Sequence, residues 1–251
     1  MAQSDFLLYL PSSSADSTLY YDNKISQYLI HLPSPLSFLP GFEYEAALVK
    51  MLYPVSIENV YNGEITYYSL KQKRMTTVIV PYGQYLPDSL ASALSTAFHL
   101  DSEFYHFTLD YEAERYSLHC TSSDCYVSLN KNFQSLLGMP SEIIDVGVHT
   151  APVPYDMTAG FSTVYVYCDL ADHVRVGSTY APIICVLGTH LMLDDVRQVE
   201  YQPVSPVYTP INKETVSQIM IELRGRQGQL VPFSRGEVIC VLHIRPRLPT
   251  L

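Results

Sequence analysis

The chain has 251 residues, 47% of them hydrophobic and only 16% charged, with a formal net charge of −10 at pH 7. Such a length buries a substantial core, while the acidic balance excludes a phosphate-tracking surface, which needs clustered Lys and Arg. The nearest basic run, Lys71-Gln72-Lys73-Arg74, reads as a solvated turn, and the longest apolar runs fall far short of the roughly 20 residues of a membrane-spanning helix.

Residues 6–10 begin the first strand, which ends at Pro11 and a Ser-rich turn. Residues 25–32 alternate until Pro33, and Pro35, Pro40 and Gly41 then predict a loop unable to join a ladder. Residues 43–53 form a long strand, with Tyr44, Ala46 and Leu48 on one face and Glu43, Glu45, Ala47 and Val49 on the other. Pro54 stops it. Asn62-Gly63, between Val60 and Ile65, is the strongest hairpin signal in the chain, because a type I′ turn wants positive φ at both central residues. Residues 65–70 and 76–80 read as strands joined by a turn at 71–74.

The pattern then changes. Pro87-Asp88-Ser89 leads into Leu90, Ala91, Leu94, Ala97 and Phe98, an amphipathic helical spacing with Asp88 or Ser89 as the expected N-cap. Short alternating strands follow near residues 104–110, 115–120 and 126–129. A brief helix over 131–137 ends at Gly138, a C′ glycine, with Pro140 just beyond. An α+β unit is therefore expected over residues 75–145, inserted in an otherwise all-β chain.

Beyond Pro152 and Pro154 the strands resume at 163–169, 182–187, 216–223 and 237–244. In the first of these, Val164, Val166 and Cys168 alternate with Tyr165, Tyr167 and Asp169, the period of two that a packed sheet requires. Residues 201–210 hold Pro203, Pro206 and Pro210 and read as an irregular crossing. Four strands before the insertion and four after it give about eight, the number a two-sheet jelly roll needs. The expected fold is thus all-β: a single jelly-roll β-sandwich over 1–74 and 146–251 carrying the inserted unit.

Twenty-one tyrosines and no tryptophan accompany the low charge. Tyrosine fills sheet faces, and it also suits interfaces, where the ring packs while the hydroxyl finds a partner. The start, Met1-Ala2-Gln3-Ser4-Asp5, lacks the basic-then-apolar order of a signal peptide, so a cytosolic or nuclear product is expected. Cys168, Cys185 and Cys240 sit in apolar strand windows as small hydrophobes. Cys120 and Cys125 are spaced to meet across a hairpin, as a disulfide or, in a reducing compartment, as a reduced pair.

Chemistry finds little support. His99, His106 and His119, with Asp101, Glu103 and Asp110, fall in the insertion, but ordinary solvent-facing histidines explain them better than a metal site. Asp194-Asp195 with Asp169 and Asp172 reads as solvated charge rather than a cation site. The amides at Gly83 precede a helix, yet the stretch lacks the glycines and lysine of a phosphate loop. No Gly-x-Ser-x-Gly elbow or recognisable Cys–His pairing occurs. The expectation is a protein that is not an enzyme, with no cofactor and no metal.

The order of segments resembles a known family. Phe6-Leu7-Leu8-Tyr9-Leu10-Pro11, Tyr21-Asp22-Asn23, Leu32-Pro33, Tyr44-Glu45-Ala46-Ala47-Leu48 and Tyr53-Pro54 resemble the start of capsid proteins from Maverick (Polinton) virus-like elements. Val164-Tyr165-Val166-Tyr167-Cys168-Asp169, Val176-Gly177, Pro182-Ile183-Ile184-Cys185-Val186 and Ile219-Met220-Ile221-Glu222-Leu223 resemble the penton, or minor capsid, protein of that family. So do the segments from Gln227 to Phe233, Gly236-Glu237-Val238 and Leu242-His243-Ile244-Arg245. The resemblance covers nearly the whole chain.

It implies a virion protein, assembled in the host cytoplasm or nucleus, that forms a homopentamer at icosahedral vertices. The surrounding shell would be a double jelly-roll major capsid protein. The insertion would face outward toward a fibre or receptor, with no direct contact to nucleic acid. The candidate subunit-interface residues are Tyr20, Tyr21, Tyr53, Tyr61, Tyr201 and Tyr208, in loops expected to expose aromatic rings. The competing expectation is a cellular jelly-roll binding module for carbohydrate or peptide, including a domesticated copy of such an element.

Overall fold

Alternating side chains set the first three strands, β1 (Phe6–Pro11), β2 (Gln27–Ser37) and β3 (Tyr44–Pro54). A mixed stretch follows: β4 (Glu64–Ser69), β5 (Arg74–Ile79), α1 (Pro87–Asp101), β6 (Tyr105–Asp110), β7 (Arg115–Cys120), β8 (Cys125–Leu129), α2 (Lys131–Leu137), β9 (Glu142–Ile144) and β10 (Gly147–Thr150). The chain then returns to strands. These are β11 (Thr163–Cys168), β12 (Val174–Val176), β13 (Thr179–Ala181), β14 (Ile183–Gly188), β15 (Gln198–Tyr201), β16 (Thr209–Ile211), β17 (Thr215–Gly225) and β18 (Ile239–Pro246). The computed structural model describes residues 5–14, 23–69, 73–101, 105–121, 125–144, 146–189 and 197–247. Among them no helix is long and apolar enough to cross a membrane. The chain divides into two compact units, one formed by Met1–Ser56 with Phe161–Leu251 and the other by Ile57–Gly160.

The first unit is a jelly roll. One sheet has the order β1-β18-β3-β15, with β16 also on β3, and the other has the order β14-β11-β17-β2. β15 and β16 both pair with β3 and act as one interrupted strand. Eight strands then alternate between the sheets in the sequence first, second, first, second, second, first, second, first. That is the winding of two Greek keys. Three of the eight precede the insertion and five follow, against the expected four and four. The expected fourth, β4, pairs with β5 and β8 in the other unit. The missing one is β15 with β16, concealed in the proline-rich stretch that reads as an irregular crossing.

Packing between the sheets follows the period-two pattern, with corrections where the ladder slips. Val164, Val166 and Cys168 of β11 are buried, as the alternation predicts. Tyr28 of β2 is buried, and its hydroxyl donates to the Leu10 carbonyl of β1 at 3.0 Å, tying one sheet to the other. On β3 the alternation runs Tyr44, Ala46, Leu48 and then Met51 and Tyr53, all buried, with Ala47, expected on the opposite face, and Pro54 buried as well. The phase flips because Lys50 faces Val241 while Leu48 faces Leu242, leaving Val49 as an extra bulged residue. β2 continues past its prolines. Its register on β17 jumps from His31 opposite Gln218 to Leu36 opposite Val216, so Pro33 and Pro35 lie in the bulge and are not asked for a ladder N–H.

In the second unit one sheet has the order β5-β4-β8-β9 and another β10-β7-β6. Leu90, Leu94 and Phe98 of α1 are buried, with the Phe98 ring 5.2 Å from Tyr105 and 5.6 Å from Phe107. α1 starts at Pro87, so Leu86 is the N-cap. Ser89 stands at the third helical position, its hydroxyl accepting from the Leu86 N–H at 2.9 Å. α2 matches its expected limits: Asn130 caps the Phe133 N–H, and Gly138 is left-handed at φ 66°. This compact unit runs from Ile57 to Gly160, against the expected 75–145, since β4 and β10 pair within its sheets, and the Asn62-Gly63 signal does not make a hairpin. Neither residue has positive φ. Gly63 instead lets the chain pass against Val80, where an added Cβ would lie 1.8 Å from the carbonyl oxygen.

Candidate functional site

The candidate interface tyrosines separate. Tyr20 and Tyr21 lie outside the described residues. Tyr53 is 2% exposed in the core of the first unit, so it offers no ring to a neighbour. Tyr61 is half-buried in the second unit, where desolvation raises its pKa. Tyr201 is half-buried, and its hydroxyl lies 3.6 Å from Cys185 Sγ. That thiol contact pushes its pKa up to about 12. Tyr208 is half-buried under the guanidinium of Arg245, 3.5 Å above its ring, and its hydroxyl meets His243 Nδ1 at 2.7 Å. Asp5 holds the other imidazole nitrogen at 3.2 Å, and Arg245 pairs with Glu45 at 2.7 Å. Tyr201 and Tyr208 therefore bracket one segment at the border of the first sheet.

Other apolar side chains face outward. In the first unit Leu7 and Tyr9 of β1, Phe42, Tyr180, Val186, Val204 and Val207 are exposed. The sequence carries a signal for Leu7 and Tyr9: β1 is apolar at every position from Phe6 to Leu10, so burying one face leaves an apolar one outside. Val204 and Val207 carry no such signal, since they sit between prolines in a segment without periodicity. In the second unit Met75 and Ile79 alternate outward along β5, and Tyr82 and Tyr111 are exposed.

The polar candidates are engaged locally. His106 and His119 are direct cross-strand partners on β6 and β7, with ring centroids 6.2 Å apart, and His119 Nε2 lies 3.2 Å from Thr108 Oγ1. His99 stands in the last turn of α1, and the Asp101 side chain and Glu103 lie outside the described residues. Among the described residues no three His, Cys, Asp or Glu side chains converge. Asp169 pairs with Lys213 at 3.0 Å and accepts the Met220 N–H at 2.8 Å, while Asp194 and Asp195 lie outside the described residues. The Gly83 amide donates to the Val60 carbonyl at 3.0 Å and does not face an anion. Cys168 and Cys240 are buried and desolvation pushes both thiols up to about 12, whereas the Cys125 side chain lies outside the described set. A small cleft of about 240 Å³ between β9 and β10 is lined by Met139, Pro140, Glu142, Ile143, His149 and Pro152, among others, and the Glu142 side chain on its rim is exposed.

No family model matches the sequence, and no curated protein matches it. Among solved structures, the selenomethionine-labelled mavirus penton protein is similar at a TM-score of 0.47 and 9% sequence identity, over 98% of this chain and 100% of that one. The jelly-roll topology is read from the strand pairings of this chain and stands apart from that likeness.

Proposed function

We propose that this chain is a structural capsid subunit of the penton class, assembling as a homopentamer at the vertices of an icosahedral shell. The observation that carries the reading is the exterior of the jelly-roll unit, where Leu7, Tyr9, Phe42, Tyr180, Val186, Val204 and Val207 are exposed in a chain that is only 16% charged. Exposed apolar surface on this scale suits contacts with other chains. The resemblance of the motif order to that of Maverick penton proteins supports the same reading, since a jelly roll by itself hosts many functions. The neighbouring shell protein is a double jelly-roll capsid protein. The inserted unit, with five Lys and Arg against twelve Asp and Glu between residues 57 and 160, is the acidic part offered to a fibre or receptor.

Negative-stain electron microscopy of the purified protein, alone and mixed with a double jelly-roll capsid protein, tests this. Rings with fivefold symmetry that bind capsid trimers are expected. Solitary particles that ignore the trimers, together with a clear hit on a glycan array, would favour the binding-module reading instead.

A further inference from the structure

In the second unit α1 packs on one face of the sheet β5-β4-β8-β9, with the Phe98 ring 6.3 Å from Tyr67. The opposite face is open, and Met75 and Ile79 on its border strand are each 66% exposed. The register orders that face into rows. Met75 lies opposite Tyr68 of β4, which lies opposite Tyr126 of β8. Two residues along, Thr77 lies opposite Thr66, Thr66 opposite Ser128, and Ser128 opposite Glu142 of β9. One row is apolar and aromatic, with the Tyr68 and Tyr126 rings 5.3 Å apart at 32°. The next consists of hydroxyls and ends on the exposed Glu142 carboxylate, at the rim of the cleft of about 240 Å³.

These hydroxyls are free. Among the described residues, the side chains of Thr66, Tyr68, Thr77, Tyr126 and Ser128 make no hydrogen bond. On the outer face of the sheet β10-β7-β6, by contrast, Ser117 bonds Thr150 at 2.9 Å and Thr108 meets His119 at 3.2 Å. Each free hydroxyl brings one donor and two acceptor sites. An apolar protein partner would bury these groups unpaired, which costs stability. A sugar meets each with a hydroxyl of its own and lays its C–H face on the tyrosine rings. Strands hold both rows at fixed spacing, so the face is formed before anything binds.

Charge narrows the sugar. The outward positions of the four strands include Glu64 and Glu142 and, among the described residues, no Lys or Arg. Arg74 lies opposite buried Ser69 and so has the phase of the other face. The whole unit holds five Lys and Arg against twelve Asp and Glu. Sialylated or sulfated sugars, and the phosphates of nucleic acid, find no cation here.

We propose that this face binds the neutral glycan of a surface receptor, with Tyr68 and Tyr126 stacked under sugar rings and Thr66, Thr77 and Ser128 bonded to sugar hydroxyls. The assignment deepens the receptor role of the inserted unit and rests on it.

The full-length protein, applied to an array of neutral, sialylated and sulfated oligosaccharides, tests this, with calorimetric titration of the strongest neutral hit. Binding confined to neutral sugars is expected. Tyr68→Ala and Tyr126→Ala should each weaken it about tenfold. Thr66→Val, which removes a hydroxyl and keeps the shape, should weaken it about threefold. Native melting temperatures check the folding of each variant. In the unsubstituted chain, saturating the tyrosine ring protons should transfer signal to sugar C–H protons in the NMR spectrum. An array blank for neutral sugars, or lit only by sialylated or sulfated ones, overturns the assignment. So does binding that survives both tyrosine variants, and tighter binding of a protein by Thr66→Val would mark an apolar docking face instead. Fivefold rings on a blank array sink the sugar face and leave the pentamer standing. Sugar binding by a solitary chain keeps the face and defeats the pentamer.

Discussion

Gly63 matters for its size, not its freedom of φ. An added Cβ would lie 1.8 Å from the Val80 oxygen, and a backbone atom cannot swing aside as a side-chain tip does. Gly63→Ala is expected to cost the second unit about 1–3 kcal/mol, whereas Gly188→Ala, whose Cβ would meet nothing nearer than 4.0 Å, should stay within about 0.5 kcal/mol. Chemical denaturation of the two variants checks the contrast. Cys168 and Cys240 make a second case. Desolvation moves both thiols from 9.0 up to about 12, so the native chain keeps its protons over a range where the unfolded chain releases them. Stability should therefore be insensitive to these groups below about pH 9 and fall as pH rises toward about 12. At pH 8 neither thiol should react with a disulfide reagent until denaturant is added; rapid labelling of the native protein would contradict their burial. Both residues were legible as buried hydrophobes, Cys168 because period-two alternation assigns it to the core face and Cys240 because it lies in an apolar strand window.

At the scale of elements, the second unit hangs on two buried asparagines. Asn59 Nδ2 donates to Tyr85 O at 2.8 Å and its Oδ1 accepts the Tyr85 N–H at 2.8 Å. Asn132 Oδ1 accepts from the N–H groups of Tyr61 and Asn62, while its Nδ2 donates to Asn59 O at 2.7 Å. The segment before β4 is thus held by these side chains together with backbone pairs from Val60 to Gly83 and from Gly63 to Val80, which is why the Asn62-Gly63 dipeptide misleads. Its local preference for a hairpin is overridden by tertiary partners that no short window contains. Asn132→Leu strands two amides and a carbonyl and is expected to destabilise this unit by about 2–4 kcal/mol. Hydrogen exchange should quicken at residues 59–63 in that variant, and unchanged protection there would show that the network is dispensable. Elements with their own punctuation were readable: α2 between Asn130 and Gly138, and β11 by its alternation. Elements interrupted by proline were not. β2 crosses Pro33 and Pro35 through a bulge, and β15 and β16 flank Pro203 and Pro206. In both places the break in pairing is local while the strand direction persists.

For the whole molecule, the jelly roll follows from the order in which strands visit the two sheets, and that order was only partly visible. Eight strands were countable, but their division around the insertion required knowing that β4 pairs within the second unit. The exposed borders were less legible still. The tyrosines expected at an interface include Tyr53, which is core, while the exposed apolar residues at the sheet borders are mostly aliphatic. Sequence period assigns faces, but not the end of a sheet, because strand order joins residues far apart in the chain.

Assembly into fives is the property on which the functional reading turns, and the mass of the particle in solution reports it without labels. Native mass spectrometry across a hundredfold range of concentration should find a species of five times the 28.4 kDa chain mass, with smaller species appearing only on dilution. A single chain mass at every concentration, in a sample whose melting curve is cooperative, would contradict it.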